Sequence, residues 1–283
     1  MASVIEFSNI ISFGIFFVKM RYKSYFYRLM SLLFASLNSG SNGNCYYVGN
    51  EHDAVLIDAG ISCRETFGRM TRLGLKMQKV RAVFISHEHS DHTRGAEVLS
   101  KKYKLPVFMT DATQKHSNIR IVPSLLNYFT SNDRIALGTL IVEPFAKRHD
   151  AADPHSFVVS HNGVNVGVMT DIGSVCDEAK RQFGRCQAAF LEANYDEQML
   201  QEGSYPEYLK RRIRSDVGHL SNMQALELFT THRSPDLKHL VLSHLSKNNN
   251  NPEIVRDLFR QHANGTTISV ASRYEESAVF VVS

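Results

Sequence analysis

Short apolar runs rich in β-branched and aromatic residues alternate along this chain with stretches whose apolar positions recur every three or four residues, the patterns of strands and of amphipathic helices. SLLFASL (31–37), CYYVG (45–49), AVLIDAG (54–60) and VRAVFIS (80–86) form a first group of predicted strands. TLIVEPFA (139–146), SFVVSH (156–161), VNVGVMTD (164–171), QAAFLEA (187–193), HLVLSHL (239–245), TTISVA (266–271) and SAVFVV (277–282) form a second. Polar turns at 50–53 and 162–163 separate neighbouring strands. Helices are expected from Ser62 through Thr66, Met70 and Leu73, and over 95–103, 175–183, 206–214, 222–231 and 252–262. No Pro-, Gly- or Ser-rich linker divides the two groups. The pattern is that of one α/β domain, layered with sheets inside and helices outside.

Composition narrows the class. With 43% hydrophobic residues in 283 the chain fills a substantial core, which excludes disorder and low-complexity architectures. No clean apolar run of about eighteen residues occurs, so a polytopic membrane protein is excluded. Cys45, Cys63, Cys176 and Cys186 show no CxxC spacing, which argues for a reducing, cytoplasmic location rather than a disulfide scaffold or zinc ribbon.

Residues 1–29 stand apart. They carry Lys19, Arg21, Lys23 and Arg28 against Glu6, a net of +3, and leave +1 for the rest, so the overall +4 says little about partners. Their apolar part is interrupted and its cations follow it, unlike a secretory signal. A basic aromatic helix lying on a membrane surface is one reading. The plainer one is an extension, disordered or upstream of the native start, with the functional domain spanning 30–283 and no stable membrane association.

The chemistry gathers where strands end. VRAVFIS runs into His87-Glu88-His89-Ser90-Asp91-His92, three imidazoles and a carboxylate within six residues. His87 and His89 project to one side of an extended segment and can grip one ion, while the following turn carries Asp91 and His92 to a second position. With 13 His in the chain, chance yields H-x-H-x-D-H in about one such sequence per thousand. Other candidates are weaker alone: His149 reads equally as an ion-paired loop residue, Asp171 as a turn residue and His244 as a core histidine.

His87, His89, Asp91 and His92 resemble the signature of the metallo-β-lactamase-fold hydrolases. The resemblance implies a four-layer αβ/βα sandwich with two divalent metal ions at one edge. It assigns His149 as third ligand of the first ion, Asp171 as the bridging carboxylate, His244 as the last ligand of the second, and Asp58 of LIDAG as the group that orients the metal loop. Zinc, manganese and iron all suit imidazole with carboxylate. Such a pair lowers the pKa of a bridging water to near neutrality, with Asp91 orienting the resulting hydroxide.

SLNSGSNGNCYYVG (36–49), LEANYD, YLKRRIRSDVGHLSN and HLSKNNNNP are similar to segments of the YycJ/WalJ-like group, with His155 and Lys247 as departures from its pattern. This resemblance implies a dimetal phosphodiesterase, a 5′–3′ exonuclease with DNA as its nucleic-acid substrate. A cyclic or small phosphodiesterase, an RNase Z-like RNA nuclease and a non-catalytic regulatory protein are the alternatives. In the 39–44 loop, small residues free backbone N–H groups for an anion, and Ser41 and Asn44 add donors. Of Lys210, Arg211, Arg212 and Arg214, a run that otherwise reads as a solvated helix face, Arg211 and Arg212 are expected to steer phosphate. His219 of GHLSN is the expected general acid, although no carboxylate partner for it is visible in the sequence. His52, His116, His161, His232, His239 and His262 are read as ordinary surface residues.

Overall fold

A computed structural model describes residues 31–131 and 133–283; the extension assigned to 1–29 lies outside the described residues. Two seven-stranded mixed sheets face each other. The first is ordered β14-β1-β2-β3-β4-β5-β6, from β1 (Leu32–Asn38), β2 (Cys45–Gly49), β3 (Ala54–Ile57), β4 (Val80–Phe84), β5 (Val107–Met109), β6 (Leu126–Tyr128) and β14 (Phe280–Val282). The second is ordered β13-β12-β11-β10-β9-β8-β7, from β7 (Ile135–Leu137), β8 (Leu140–Ala146), β9 (His155–His161), β10 (Val164–Met169), β11 (Ala188–Glu192), β12 (His239–Ser243) and β13 (Thr267–Val270). Each sheet is antiparallel over its first strands and parallel over its last, from β3 to β6 and from β10 to β13.

The side-chain period of two explains the layering. Phe34, Tyr46, Ile57 and Phe84 of one sheet meet Phe157, Val168, Phe190 and Val241 of the other in a central apolar layer. The alternate residues Leu37, Tyr47, Leu56 and Val83 pack outward on α1 (Cys63–Arg72) and α3 (Ala96–Tyr103). Ala189, Leu191 and Leu242 do the same under α5 (Asp177–Phe183), α8 (Asn222–His232) and α9 (Pro252–Arg260). Covering both faces of each sheet is what makes the strands read as unbroken apolar runs. The result is the αβ/βα sandwich implied by the resemblance. Four short helices complete it: α2 (Ser90–Thr93), α4 (Asp111–His116), α6 (Glu197–Glu202) and α7 (Glu207–Arg214).

The sequence reading gave no element between 104 and 138, where β5, α4, β6 and β7 lie. Three-residue strands hold too few positions to display a period. SAVFVV joins the first sheet rather than the second, pairing with β1. One histidine expected at the surface is not there: His161 is buried, its ring 3.0 Å from the Thr139 carbonyl, while His239 is partly buried, its ring against Phe34 and Phe280.

Asp53, in the β2–β3 turn, ties the sheets together. Its carboxylate accepts from the Thr139 backbone N–H (2.9 Å) and hydroxyl (3.0 Å) in the β7–β8 turn and pairs with Arg81 (2.6 Å). A Cβ at Gly138 would fall within 2.2 Å of it. Burial raises the Asp53 pKa, but these donors outweigh it and hold the group below its ordinary 3.8. A depressed carboxylate stabilises the fold fully above the unfolded value, and that contribution is lost as pH falls through the folded one. Asp53→Asn should therefore lower unfolding free energy by about 2 kcal/mol at pH 7. Its deficit should shrink below pH 4 in urea titrations; an equal deficit at pH 7 and pH 3 would contradict the assignment.

Candidate active site

The functional side chains leave from strand ends on one side of the sandwich. Asp58 follows β3, the 87–92 turn follows β4, His149 follows β8, Asp171 follows β10, Glu192 ends β11 and His244 follows β12. Carboxyl ends of parallel strands face one way, so their loops converge there. Asp58 (φ 62°), Asp171 (φ 55°) and His244 (φ 57°) all hold left-handed backbone. Non-glycine residues keep that conformation only when their surroundings enforce it. For Asp58 the enforcement is visible: Oδ1 accepts from the Ser86 N–H (2.8 Å), and Oδ2 from the Ser86 hydroxyl (2.9 Å) and the His92 ring (2.7 Å).

All seven expected ligands come together. His87, His89 and His149 bring ring nitrogens within 4.8 Å of one another, and ligand atoms of Asp91, His92 and His244 do the same. Asp171 lies between the two groups, Oδ2 3.3 Å from His92 Nε2 and Oδ1 3.4 Å from His244 Nε2 and 3.9 Å from His149 Nε2. Three rings have their outer nitrogen engaged: His149 Nδ1 on the Gly218 carbonyl (3.0 Å), His92 Nδ1 on Asp58, and His87 Nδ1 on Ser86 Oγ (2.9 Å). Such outer bonds fix the tautomer and aim Nε2 at the centre.

Glu192 was not singled out in the sequence. It is fully buried; Oε1 lies 2.9 Å from both His219 Nδ1 and His244 Nδ1, while Oε2 accepts from the Ile172 (2.7 Å) and Leu220 (3.2 Å) N–H groups. It is the carboxylate partner that His219 lacked. An acid at the end of the buried run AAFLE is the signal that identifies it.

Charge is dense and unbalanced toward carboxylate. Burial would raise Asp171, yet His244 and His92 hold it well below the ordinary range; burial likewise opposes Glu192, which His219 and His244 keep at about 2. Burial disfavours a charged His244, but Asp171, Asp91 and Glu192 lift it to about 10. His149, where burial prevails, falls to about 4 and offers a neutral ring, and burial pushes His87 down too. Asp171 Oδ2 and His244 Nε2 are buried without a hydrogen bond. An orphaned carboxylate oxygen, neutral imidazoles and ionised carboxylates facing one space are the donor set that a divalent cation satisfies.

Glycines let the loops approach. Asn44 N–H donates to the Asp91 carbonyl (2.7 Å), and a Cβ on Gly60 would lie 1.6 Å from that same oxygen. Gly173 and Gly218 similarly admit the 216–219 loop, whose Val217 carbonyl accepts from Asp150 N–H (2.9 Å).

The expected substrate contacts fare differently. Asn44 is a correction: fully buried, its carboxamide reaches Asp91 Oδ2 (3.3 Å) and His92 Nε2 (3.1 Å) and accepts from Gly40 N–H (2.9 Å), so it buttresses the turn instead of facing an anion. Ser39 of the same loop accepts from His244 N–H (2.8 Å). Ser41 is exposed at the loop tip. Arg212 pairs with Asp150 (2.6 Å), whose other oxygen is 3.3 Å from His149 Nε2, so it reaches the site only through that carboxylate. Arg211 is exposed and, among the described residues, makes no hydrogen bond or ion pair. Lys210 is buried against the Gln201 carbonyl and Arg214 pairs with Glu197, so Arg211 and Arg212 are the exposed cations of the run.

Residues 53–245 match the beta-lactamase superfamily domain. The chain is 37% identical over 230 residues to the exodeoxyribonuclease YycJ of Bacillus anthracis, covering 80% of this chain and 87% of that one. It is 32% identical over 226 residues to the exodeoxyribonuclease WalJ of Streptococcus pneumoniae, covering 78% and 84%. Among solved structures, the metallo-beta-lactamase fold protein YhfI of Bacillus subtilis superposes with a TM-score of 0.67 at 15% identity, over 89% of this chain and 99% of that one, a likeness of fold alone.

Proposed function

The chain belongs to the beta-lactamase superfamily, within its YycJ/WalJ-like group, and we propose that it is a dimetal 5′–3′ exonuclease acting on DNA. The observation that carries this reading is Asp171, a buried carboxylate between two ligand clusters with one oxygen left without a hydrogen bond. His87, His89 and His149 would hold one divalent cation, Asp91, His92 and His244 the other, with Asp171 common to both. When bound, such a pair supplies Lewis-acid charge opposite the phosphate and acidifies water.

The chain's own residues do the rest. Asp58 and Asn44 fix the 87–92 turn, so the ligands are held before substrate arrives. Asp91, partly exposed at the floor of the site, accepts a hydrogen bond from the attacking water and aligns it. His219 is the partly exposed imidazole at the rim; Glu192 takes its Nδ1–H, which leaves Nε2 to deliver a proton to the departing sugar oxygen. Among the described residues no helix is long and apolar enough to cross a membrane. All four cysteines are free thiols, as suits a reducing cytoplasmic setting.

DNA labelled at the 5′ or the 3′ end tests the reading. Protein loaded separately with zinc and with manganese should release the 5′ label first, as mononucleotide. Release from the 3′ end only, or from neither, overturns it; hydrolysis of small diesters alone would make the protein a small-molecule phosphodiesterase.

A further inference from the structure

Most arginines whose side chains are engaged in this protein meet a carboxylate or a carbonyl. Lys247, Arg256 and Arg273 are different. Among the described residues none of their side chains makes a hydrogen bond or ion pair, and all three line one cavity of about 370 Å³. Its only carboxylate is Glu275. Three uncompensated cations around one recess create a positive potential that attracts a multiply charged anion.

The cavity adjoins the active site. Ser39, which lines it, accepts from the His244 N–H through Oγ (2.8 Å), and Leu245, also in its wall, is the next residue along. A Cβ on Gly40 would lie 3.5 Å from Arg273 Cβ and 3.6 Å from the Leu245 carbonyl, so the loop that carries Ser39 packs closely on the cavity wall. Tyr274, which also lines the cavity, is 71% exposed. Its loop is nevertheless pinned: Arg69 donates to the Tyr274 carbonyl (3.0 Å), Arg72 grips Glu276 with two bonds (2.6 and 2.8 Å), and Ser277 pairs with Ser36 in both directions. An exposed aromatic ring on a fixed loop beside free cations is the combination that single-stranded nucleic acid uses, stacking bases while its backbone follows the charge.

We propose that this cavity is a subsite for single-stranded nucleic acid, in which Lys247, Arg256 and Arg273 receive backbone phosphates and Tyr274 stacks a base, a few nucleotides along the strand from the metal centre. The proposal rests on the nuclease reading for its substrate class, and its test separates the two. Anisotropy of a fluorescent phosphorothioate single strand, which resists hydrolysis, is followed on the metal-loaded full chain at increasing KCl. Lys247→Gln/Arg256→Gln should weaken binding about tenfold at 0.1 M salt and reduce the slope of log affinity against log salt by about 1.4, at about 0.7 per phosphate contact. Tyr274→Ala should weaken binding about fivefold or more without changing that slope. Lys115→Gln, on a cation already paired with Asp111, is the control and should change neither. No strand binding by the unmodified protein, or unaltered affinity and slope in the variants, overturns the subsite even if DNA is digested. Strand binding with these changes, but without hydrolysis of DNA, keeps the subsite and removes the nuclease.

Discussion

Asp171→Ala is expected to lower turnover of DNA by at least about a thousandfold and to drop bound metal from about two ions per chain to one or none. The reasoning starts from geometry. Asp171 is within reach of both clusters, 3.3 Å from His92 Nε2, 3.4 Å from His244 Nε2 and 3.9 Å from His149 Nε2. In the proposed dimetal site, removing it takes away a ligand shared by both ions and leaves several positively polarised groups facing each other. Losing several kcal/mol of charge stabilisation corresponds to three or more decades in rate. Metal analysis of the purified variant and its circular dichroism belong together here. A folded protein that keeps two metals and near-normal activity would remove Asp171 from the bridging role.

His219→Ala carries the second large effect, and its signature is selective. If His219 protonates the leaving oxygen, cleavage of DNA, whose leaving group is a poor sugar alkoxide, should slow by about a thousandfold. Bis(4-nitrophenyl) phosphate releases a stable phenolate that needs no proton, so its hydrolysis should fall by less than about tenfold. Equal losses on both substrates would instead make His219 part of the metal-holding set, a placement that its proximity to Asp171 (4.0 Å) and Glu192 makes worth excluding.

What the sequence disclosed follows from how locally each feature is encoded. The H-x-H-x-D-H turn was legible because four ligand-type residues stand within six positions, and the sandwich because fully covered strands leave continuous apolar runs. His149, Asp171 and His244 were legible only in company, since each alone is an ordinary strand-end residue. Glu192 was not read out, because its two imidazole partners are 27 and 52 positions away and only folding reveals that one oxygen serves both. Asn44 was misassigned for a related reason: a small, polar, glycine-rich loop looks alike whether its donors point outward to an anion or inward to a neighbouring turn. The 104–138 segment was silent because its strands are only three residues long. Arg212 was read as a free cation, but its counter-charge, Asp150, comes from a loop 62 residues earlier.

The two sheets share one plan, antiparallel then parallel, and each half of the chain supplies part of both proposed ligand sets. His87 and His89 wait for His149; Asp91 and His92 wait for His244. Neither half completes either proposed set, so ions held there would straddle the seam and be captured only after the halves have closed upon each other. Loading would thus double as an inspection of assembly: a chain whose halves are misaligned would also be one that has nothing with which to cut.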